Sequence, residues 1–123
     1  MADTVLIVDD EEDFREIMSM RMEARGFDVA TAGSADQAMS LLDQKEFDAV
    51  VMDFQMPGTD GMKALKSIKA KKPEIQIFLL TGYATADKTM EAIDSGATDL
   101  LEKPADIETL SNKIREAKAH GKL

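Results

Sequence analysis

The chain has 123 residues, of which 44% are hydrophobic and 32% charged, and this size and balance suit one domain with one hydrophobic core. It contains no cysteine, which excludes disulfides and thiolate metal sites. Its formal net charge of −9 argues against direct binding of nucleic acid, because phosphate backbones are bound mainly by Lys and Arg.

The start of the chain predicts a strand, a helix and a second strand. TVLIV (4–8) is a continuous apolar run rich in β-branched residues, as in a strand buried on both faces. Gly26 predicts the end of the helix that follows, and FDVAT (27–31) predicts a weaker strand. The apolar face of this helix is expected to contain Phe14, Ile17, Met18 and Met22.

The middle of the chain continues this alternation. Ser34 and Gln37 resemble a capping box at the start of a second helix, and DAVVM (48–52) predicts a buried strand. PGTDG (57–61) is a loop by composition, and Pro73 follows the third helix. The expected apolar faces are Ala38, Met39, Leu41 and Leu42 in the second helix, and Met62, Leu65 and Ile68 in the third.

The last part of the chain completes an α/β pattern. IQIFLL (75–80) and TDLLE (98–102) predict strands. Thr85 predicts the cap of a fourth helix, Gly96 lies beyond its end, and Asp106 predicts the cap of a fifth. The apolar face of the fifth helix is Ile107, Leu110, Ile114 and Ala117. Five strands that alternate with five helices predict a single doubly wound parallel sheet covered on both faces.

Charged and polar residues stand where the predicted strands end. These residues are Asp9 and Asp10 after the first strand, Asp53 after the third, Thr81 after the fourth and Lys103 after the fifth. Ligands bind beyond the carboxyl ends of the strands in open α/β sheets, so we expect these groups to converge. Three packed carboxylates repel one another unless a cation joins them, and hard oxygen ligands suit Mg²⁺. A carboxylate beside Mg²⁺ and Lys can also act as a nucleophile toward phosphorus.

Two pairs within the run of five acids from Asp9 to Asp13 have different expected roles. Glu12 and Asp13 are expected to favour the N-terminus of the first helix, where each acid gains roughly 0.3–1 kcal/mol. We assign Asp9 and Asp10 to metal binding instead, because Asp53 is expected opposite them.

These motifs resemble the receiver domain of two-component response regulators. LIVDDEE, VVMDFQMPGTDGM, LLTGYA and DLLEKP occur in that order, and the match covers residues 4 to about 119. The resemblance implies one receiver domain over residues 1–123, with a flavodoxin-like strand order of 2-1-3-4-5.

The resemblance also implies a phosphorylation site. Asp53 would accept a phosphoryl group from a histidine kinase or a phosphotransfer protein. Thr81 would hydrogen-bond that group, Lys103 would pair with it, and the Lys103–Pro104 bond would be cis. Glu11 would orient metal-bound water. The implied cofactor is Mg²⁺, with ligands from Asp9, Asp10, Asp53 and the backbone carbonyl of Gln55.

The chain departs from the family pattern at two positions. The aromatic residue three positions before the lysine is replaced by Leu100, and the Phe after the Lys-Pro pair is replaced by Ala105. These changes put the family's aromatic switching mechanism in doubt, and Tyr83, the one tyrosine, is expected to supply the missing aromatic contact. The residues expected to modulate the site are Gln55, Tyr83, Leu100 and Pro104.

The leading hypothesis is a phosphorylation-dependent switch, which would catalyse only its own phosphoryl transfer and dephosphorylation. Its output partner is expected at the face formed by the fourth helix, fifth strand and fifth helix, with homodimerisation on phosphorylation as one outcome. One alternative is a Mg²⁺-dependent aspartyl-phosphate phosphatase, which Gln55 disfavours because it cannot act as a general base. The other is a passive interaction module.

The expected location is cytoplasmic. MADTV lacks the features of a signal peptide, and no apolar run is long enough to cross a membrane. The pattern DLLEKP looks nearest to receivers that precede ATPase-type activators or occur in hybrid kinases. The sequence is therefore expected to be either a stand-alone receiver or a piece of a longer chain.

Overall fold

The computed structural model describes residues 3–121, and the side chains of residues 3–118. Five strands alternate with five helices along the chain, as the apolar runs and helical periods predict. In order, they are β1 (Thr4–Val8), α1 (Glu12–Ala24), β2 (Asp28–Ala32), α2 (Ala35–Gln44), β3 (Ala49–Asp53), α3 (Gly61–Lys71), β4 (Gln76–Thr81), α4 (Ala86–Asp94), β5 (Asp99–Glu102) and α5 (Ile107–Gly121).

The five strands form one parallel sheet in the order β2-β1-β3-β4-β5, which confirms the predicted topology. The chain winds outward from β1 in one direction and then from β3 in the other, so β1 and β3 are neighbours at the centre. Asp53 pairs in register with Leu80, and Thr81 pairs with Glu102. The carboxyl ends of β3, β4 and β5 therefore lie side by side.

Helices cover both faces of the sheet. Side chains alternate between the two faces along each strand, so apolar strands need a helix layer on each side. One face packs against α2, α3 and α4 around Leu6, Val50, Met52, Ile77 and Leu79. The other packs against α1 and α5 around Val5, Ile7, Val51, Phe78 and Leu80. Every residue of β3 is buried, as expected for a central parallel strand.

The helix ends follow the predicted capping signals. The side chains of Ser34 and Thr85 accept hydrogen bonds from backbone N–H groups three residues on, and Asp106 accepts one from the N–H of Thr109. Gly26 and Gly96 have φ of 90° and 116°, the left-handed conformation typical beyond a helix end. The predicted capping box is only half formed, because Gln37 Oε1 accepts from the N–H of Gly33, one residue before the Ser34 cap.

Several strand bounds and one helix face differ from the sequence prediction. β2, β3 and β4 are each shifted by one residue toward the C-terminus, β5 begins one residue later, and Phe27 packs in the core just before β2. Ile17 is 51% exposed, although its spacing placed it on the apolar face of α1. Phe14, Met18 and Met22 follow one another at intervals of four and turn toward the sheet, which leaves Ile17 at the edge of that stripe.

None of the described helices combines the length and the apolar character needed to cross a membrane.

Candidate functional site

Three carboxylates meet at the carboxyl edge of the central strands. Asp9 and Asp10 follow β1, and Asp53 is the last residue of the neighbouring β3. One oxygen of each of these three residues lies within 4.8 Å of the others. Asp9 is fully buried and Asp53 is 6% exposed, whereas Asp10 faces solvent. The predicted convergence of these three acids is therefore present in the structure.

Lys103 connects the two buried carboxylates. Its Nζ lies 2.9 Å from Asp9 Oδ2 and 3.1 Å from Asp53 Oδ2. Burial lowers the pKa of Lys103, but hydrogen bonds to Asp9 and Asp53 and the charges of these two acids outweigh it, so the net pKa is raised. The lysine is therefore held in its charged form.

The other oxygens of the buried carboxylates accept backbone hydrogen bonds. Asp9 Oδ1 accepts from the N–H of Glu11, and Asp53 Oδ1 accepts from the N–H of Gln55, each at 2.9 Å. Each carboxylate thus has one oxygen on Lys103 and one on the backbone two residues later. Because a carboxylate oxygen has two lone pairs, both residues keep capacity for a further ligand.

The donor set fits a hard divalent cation. Three carboxylates and one ammonium carry a formal charge of −2, and carboxylate oxygen is the ligand type that Mg²⁺ prefers. Asp10 is exposed, which suits an ion that keeps several of its waters. Metal ligation by the Gln55 carbonyl and water orientation by Glu11 stay predictions.

Thr81 is placed beside these groups by the sheet. It is the last residue of β4 and fully buried, and its backbone carbonyl accepts from the N–H of Lys103 at 2.7 Å. Its hydroxyl accepts a long hydrogen bond, 3.4 Å, from the N–H of Tyr83. The Lys103–Pro104 peptide bond is cis, as the resemblance implies.

The other residues predicted to modulate the site lie around it at different depths. Gln55 is exposed, and Tyr83 is 66% exposed. The Lys88 ammonium lies 5.7 Å from the centroid of the Tyr83 ring. Leu100 is only 5% exposed and packs in the core beneath α4. The structure therefore places Leu100 in the core between the sheet and α4, and Tyr83 at the surface.

Two contacts at the site were absent from the sequence prediction. The ring of Phe14, expected only as a core residue, lies against the Lys103 ammonium, 4.3 Å from Nζ to the centroid. Arg15 donates to the backbone carbonyl of Asp9 at 2.7 Å. Both residues directly follow the acidic run, and that position is the one sequence signal that connects them with the site.

The chain is similar in sequence to a known domain family and to curated proteins. The family model described as the response regulator receiver domain matches residues 5–115. The transcriptional regulatory protein ZraR of Klebsiella oxytoca is 37% identical over 119 residues, which are 97% of this chain and 27% of that protein. The chain thus spans about a quarter of the length of the first curated relatives it matches.

Solved structures share the whole fold. A response regulator receiver domain protein from Clostridium thermocellum has a TM-score of 0.90 and 30% identity, covering 98% of this chain and 97% of that one. The beryllofluoride-activated NtrC4 receiver domain dimer has a TM-score of 0.87 and 31% identity, with 96% and 98% covered. Both similarities extend over nearly all of this chain.

Proposed function

This chain belongs to the response regulator receiver domain family, and on that premise we propose that it is a signalling switch whose binding surface changes when Asp53 is phosphorylated. The observation that carries the proposal is the Lys103 ammonium between Asp9 and Asp53, with the Asp10 carboxylate beside them. This arrangement would join a buried nucleophile, a cation and a metal-type ligand set at one edge of the sheet.

The phosphoryl transfer itself needs few groups from the chain. A carboxylate oxygen of Asp53 forms a bond to phosphorus as the bond from phosphorus to the donor's imidazole nitrogen breaks, and that imidazole then takes up a proton. Lys103 contacts Asp53 Oδ2 and so stands where it can pair with an incoming phosphoryl oxygen. The Thr81 hydroxyl, whose oxygen accepts the long hydrogen bond from the N–H of Tyr83, would donate its own proton to a phosphoryl oxygen.

Mg²⁺ is the proposed cofactor, and it would be held by Asp9, Asp10, Asp53 and the Gln55 carbonyl. When bound, it would offset the negative charge of the carboxylates and the phosphoryl oxygens. The chain's own residues position the nucleophile: the N–H of Gln55 and the ammonium of Lys103 each bind one oxygen of Asp53.

The proposed phosphoryl donor is a histidine kinase or a phosphotransfer protein, and the proposed location is cytoplasmic. The output partner would bind the surface formed by α4, β5 and α5. On α4 this surface exposes Met90 by 63% and Ile93 by 47%, apolar area that a partner would cover. A second copy of the chain is one such partner, since the similar NtrC4 receiver domain forms a dimer in its beryllofluoride-activated structure.

Incubation with a small acyl-phosphate donor and Mg²⁺, followed by intact mass measurement, tests the proposal. We expect one lasting phosphoryl adduct in the wild type and none in Asp53→Asn, which lacks the nucleophilic oxygen anion. Rapid turnover of donor without a lasting adduct would indicate the phosphatase alternative. Absence of both adduct and turnover would indicate a passive interaction module.

A further inference from the structure

The phenyl ring of Phe14 covers one side of the Lys103 ammonium. Nζ lies 4.3 Å from the ring centroid, inside the range of a cation–π contact. The same nitrogen contacts Asp9 Oδ2 at 2.9 Å and Asp53 Oδ2 at 3.1 Å. An ammonium has three N–H donors, so two carboxylates and one ring face surround it.

The position of the ring follows from the start of α1. Phe14 is the third residue of that helix, which begins directly after the loop that carries Asp9. Arg15, the next residue, donates to the Asp9 carbonyl at 2.7 Å and so ties the first turn of the helix to this loop. Phe14 itself packs against the core between the sheet, α1 and α5. The helix start thus places ring and carboxylate together.

We propose that Phe14 is a positioning residue for phosphoryl transfer to Asp53, because its ring holds the Lys103 ammonium between the two buried carboxylates. This inference rests on the proposed function and deepens its mechanism. A lysine is a point charge on a flexible stem, and this side chain is 20% exposed. A ring face attracts the ammonium without competing as a hydrogen-bond acceptor, so it limits movement and leaves both carboxylate contacts intact.

Three variants separate the ring from ordinary core packing. Phe14→Leu removes the ring and keeps most of the apolar volume, whereas Phe14→Tyr keeps the ring. Phe27→Leu is the matched control, because the Phe27 ring also contacts a cation. The Arg115 Cζ atom lies 4.7 Å from its centroid. That pair lies where α5 meets the start of β2, away from the carboxyl edge of the sheet.

Two measurements are made on the 123-residue chain of each variant. The first is the NMR shift of the Lys103 methylene protons next to Nζ, which the ring current of Phe14 moves upfield. The second is the rate of Asp53 phosphorylation by a small acyl-phosphate donor at saturating Mg²⁺. We expect Phe14→Leu to abolish the upfield shift and to slow phosphorylation by about three- to tenfold. Phe14→Tyr should retain the shift and restore the rate to within about twofold.

The outcomes are distinct. A Phe14→Leu protein that is phosphorylated at the wild-type rate overturns the positioning role and leaves the proposed function standing. Equal slowing in Phe14→Leu and Phe27→Leu also overturns it, because a general packing defect would then explain the loss. A wild type that gains no phosphoryl group overturns the proposed function and the positioning role together.

Discussion

Glu102 at the end of β5 accepts a hydrogen bond from the backbone N–H of Ala84, with 3.0 Å between Oε1 and the nitrogen. Ala84 lies in the loop between β4 and α4, just before the Thr85 cap. The contact therefore ties this loop to the residue that immediately precedes Lys103. A strand-end carboxylate that the sequence prediction left without a role thus restrains the segment beside the proposed phosphorylation site.

Replacing Glu102 by Ala should loosen the β4–α4 loop. A hydrogen bond of this kind contributes about 0.5–1.5 kcal/mol, so the Ala84 amide should exchange with solvent deuterium on the order of threefold to tenfold faster. Glu102→Gln is the control, because its side-chain carbonyl can still accept from the same N–H. Unchanged exchange in Glu102→Ala would show that the contact does not restrain the loop.

Mg²⁺ binding should depend on Asp10 far more than on Glu12. Asp10 belongs to the three-carboxylate cluster, whereas Glu12 is the exposed first residue of α1. We expect Asp10→Ala to weaken Mg²⁺ binding by about tenfold or more, since it removes a metal ligand. Calorimetric titration of each variant measures this effect.

Glu12→Ala is the matched control for that experiment, because it also removes one negative charge, two residues further along the chain. It should change the affinity by no more than about twofold, the effect of one screened surface charge. Equal losses in both variants would contradict the assignment of Asp10 as a ligand. Without Mg²⁺, Asp10→Ala should be slightly more stable than the wild type, because the remaining carboxylates repel less.

The strands could be predicted because they are short, apolar and separated by clear breaks, whereas their order in the sheet was implied by the family resemblance. β1 was predicted with its observed ends, and β3 differs by one residue at each end. The helix faces could be predicted only in part, because several apolar residues share each turn of a helix. Ile17 shows the difficulty, since helical spacing alone does not decide where the buried stripe of α1 ends.

The composition of the site could also be predicted, because parallel strands bring their carboxyl ends to one edge. The contacts between the side chains of the site could not be predicted. Spacing does not reveal which of two adjacent acids turns inward, and here Asp9 is buried while Asp10 is exposed. Nor does it reveal where the flexible stem of Lys103 places its ammonium, so the ring of Phe14 was counted only as core.

Gln55 and Tyr83 should set the lifetime of the phosphoryl group. The N–H of Gln55 binds Asp53 and the N–H of Tyr83 approaches the Thr81 hydroxyl, so both residues flank the proposed acceptor. Neither provides a carboxylate base, so we expect slow hydrolysis. Truncation to Ala should admit water and speed loss of the adduct by about two- to fivefold in each case. Decay curves that coincide for all three proteins would remove both side chains from the mechanism.

Leu100 should keep one position whether or not Asp53 is phosphorylated. Its side chain is 5% exposed and packs with Ala92 and Ala97 beneath α4. Turning it outward would expose apolar surface at a cost of about 25 cal/mol per Å². A tyrosine that turns outward gains hydration of its hydroxyl group, whereas leucine has no polar group that water could hydrate. The buried position is therefore expected in both states.

The conformational change must then come from the backbone around Thr81. A bound group shifts a population only by its different affinity for the two states. The Thr81 hydroxyl accepts one long hydrogen bond, 3.4 Å, from the N–H of Tyr83, and its proton can be donated to a phosphoryl group. We expect beryllofluoride to move residues 81–86 and α4 while the Leu100 rotamer is unchanged. Structures with and without this phosphoryl mimic measure both quantities. A flip of Leu100 with residues 81–95 unmoved would refute the prediction, because the switch would then pass through the side chain that packing holds in place.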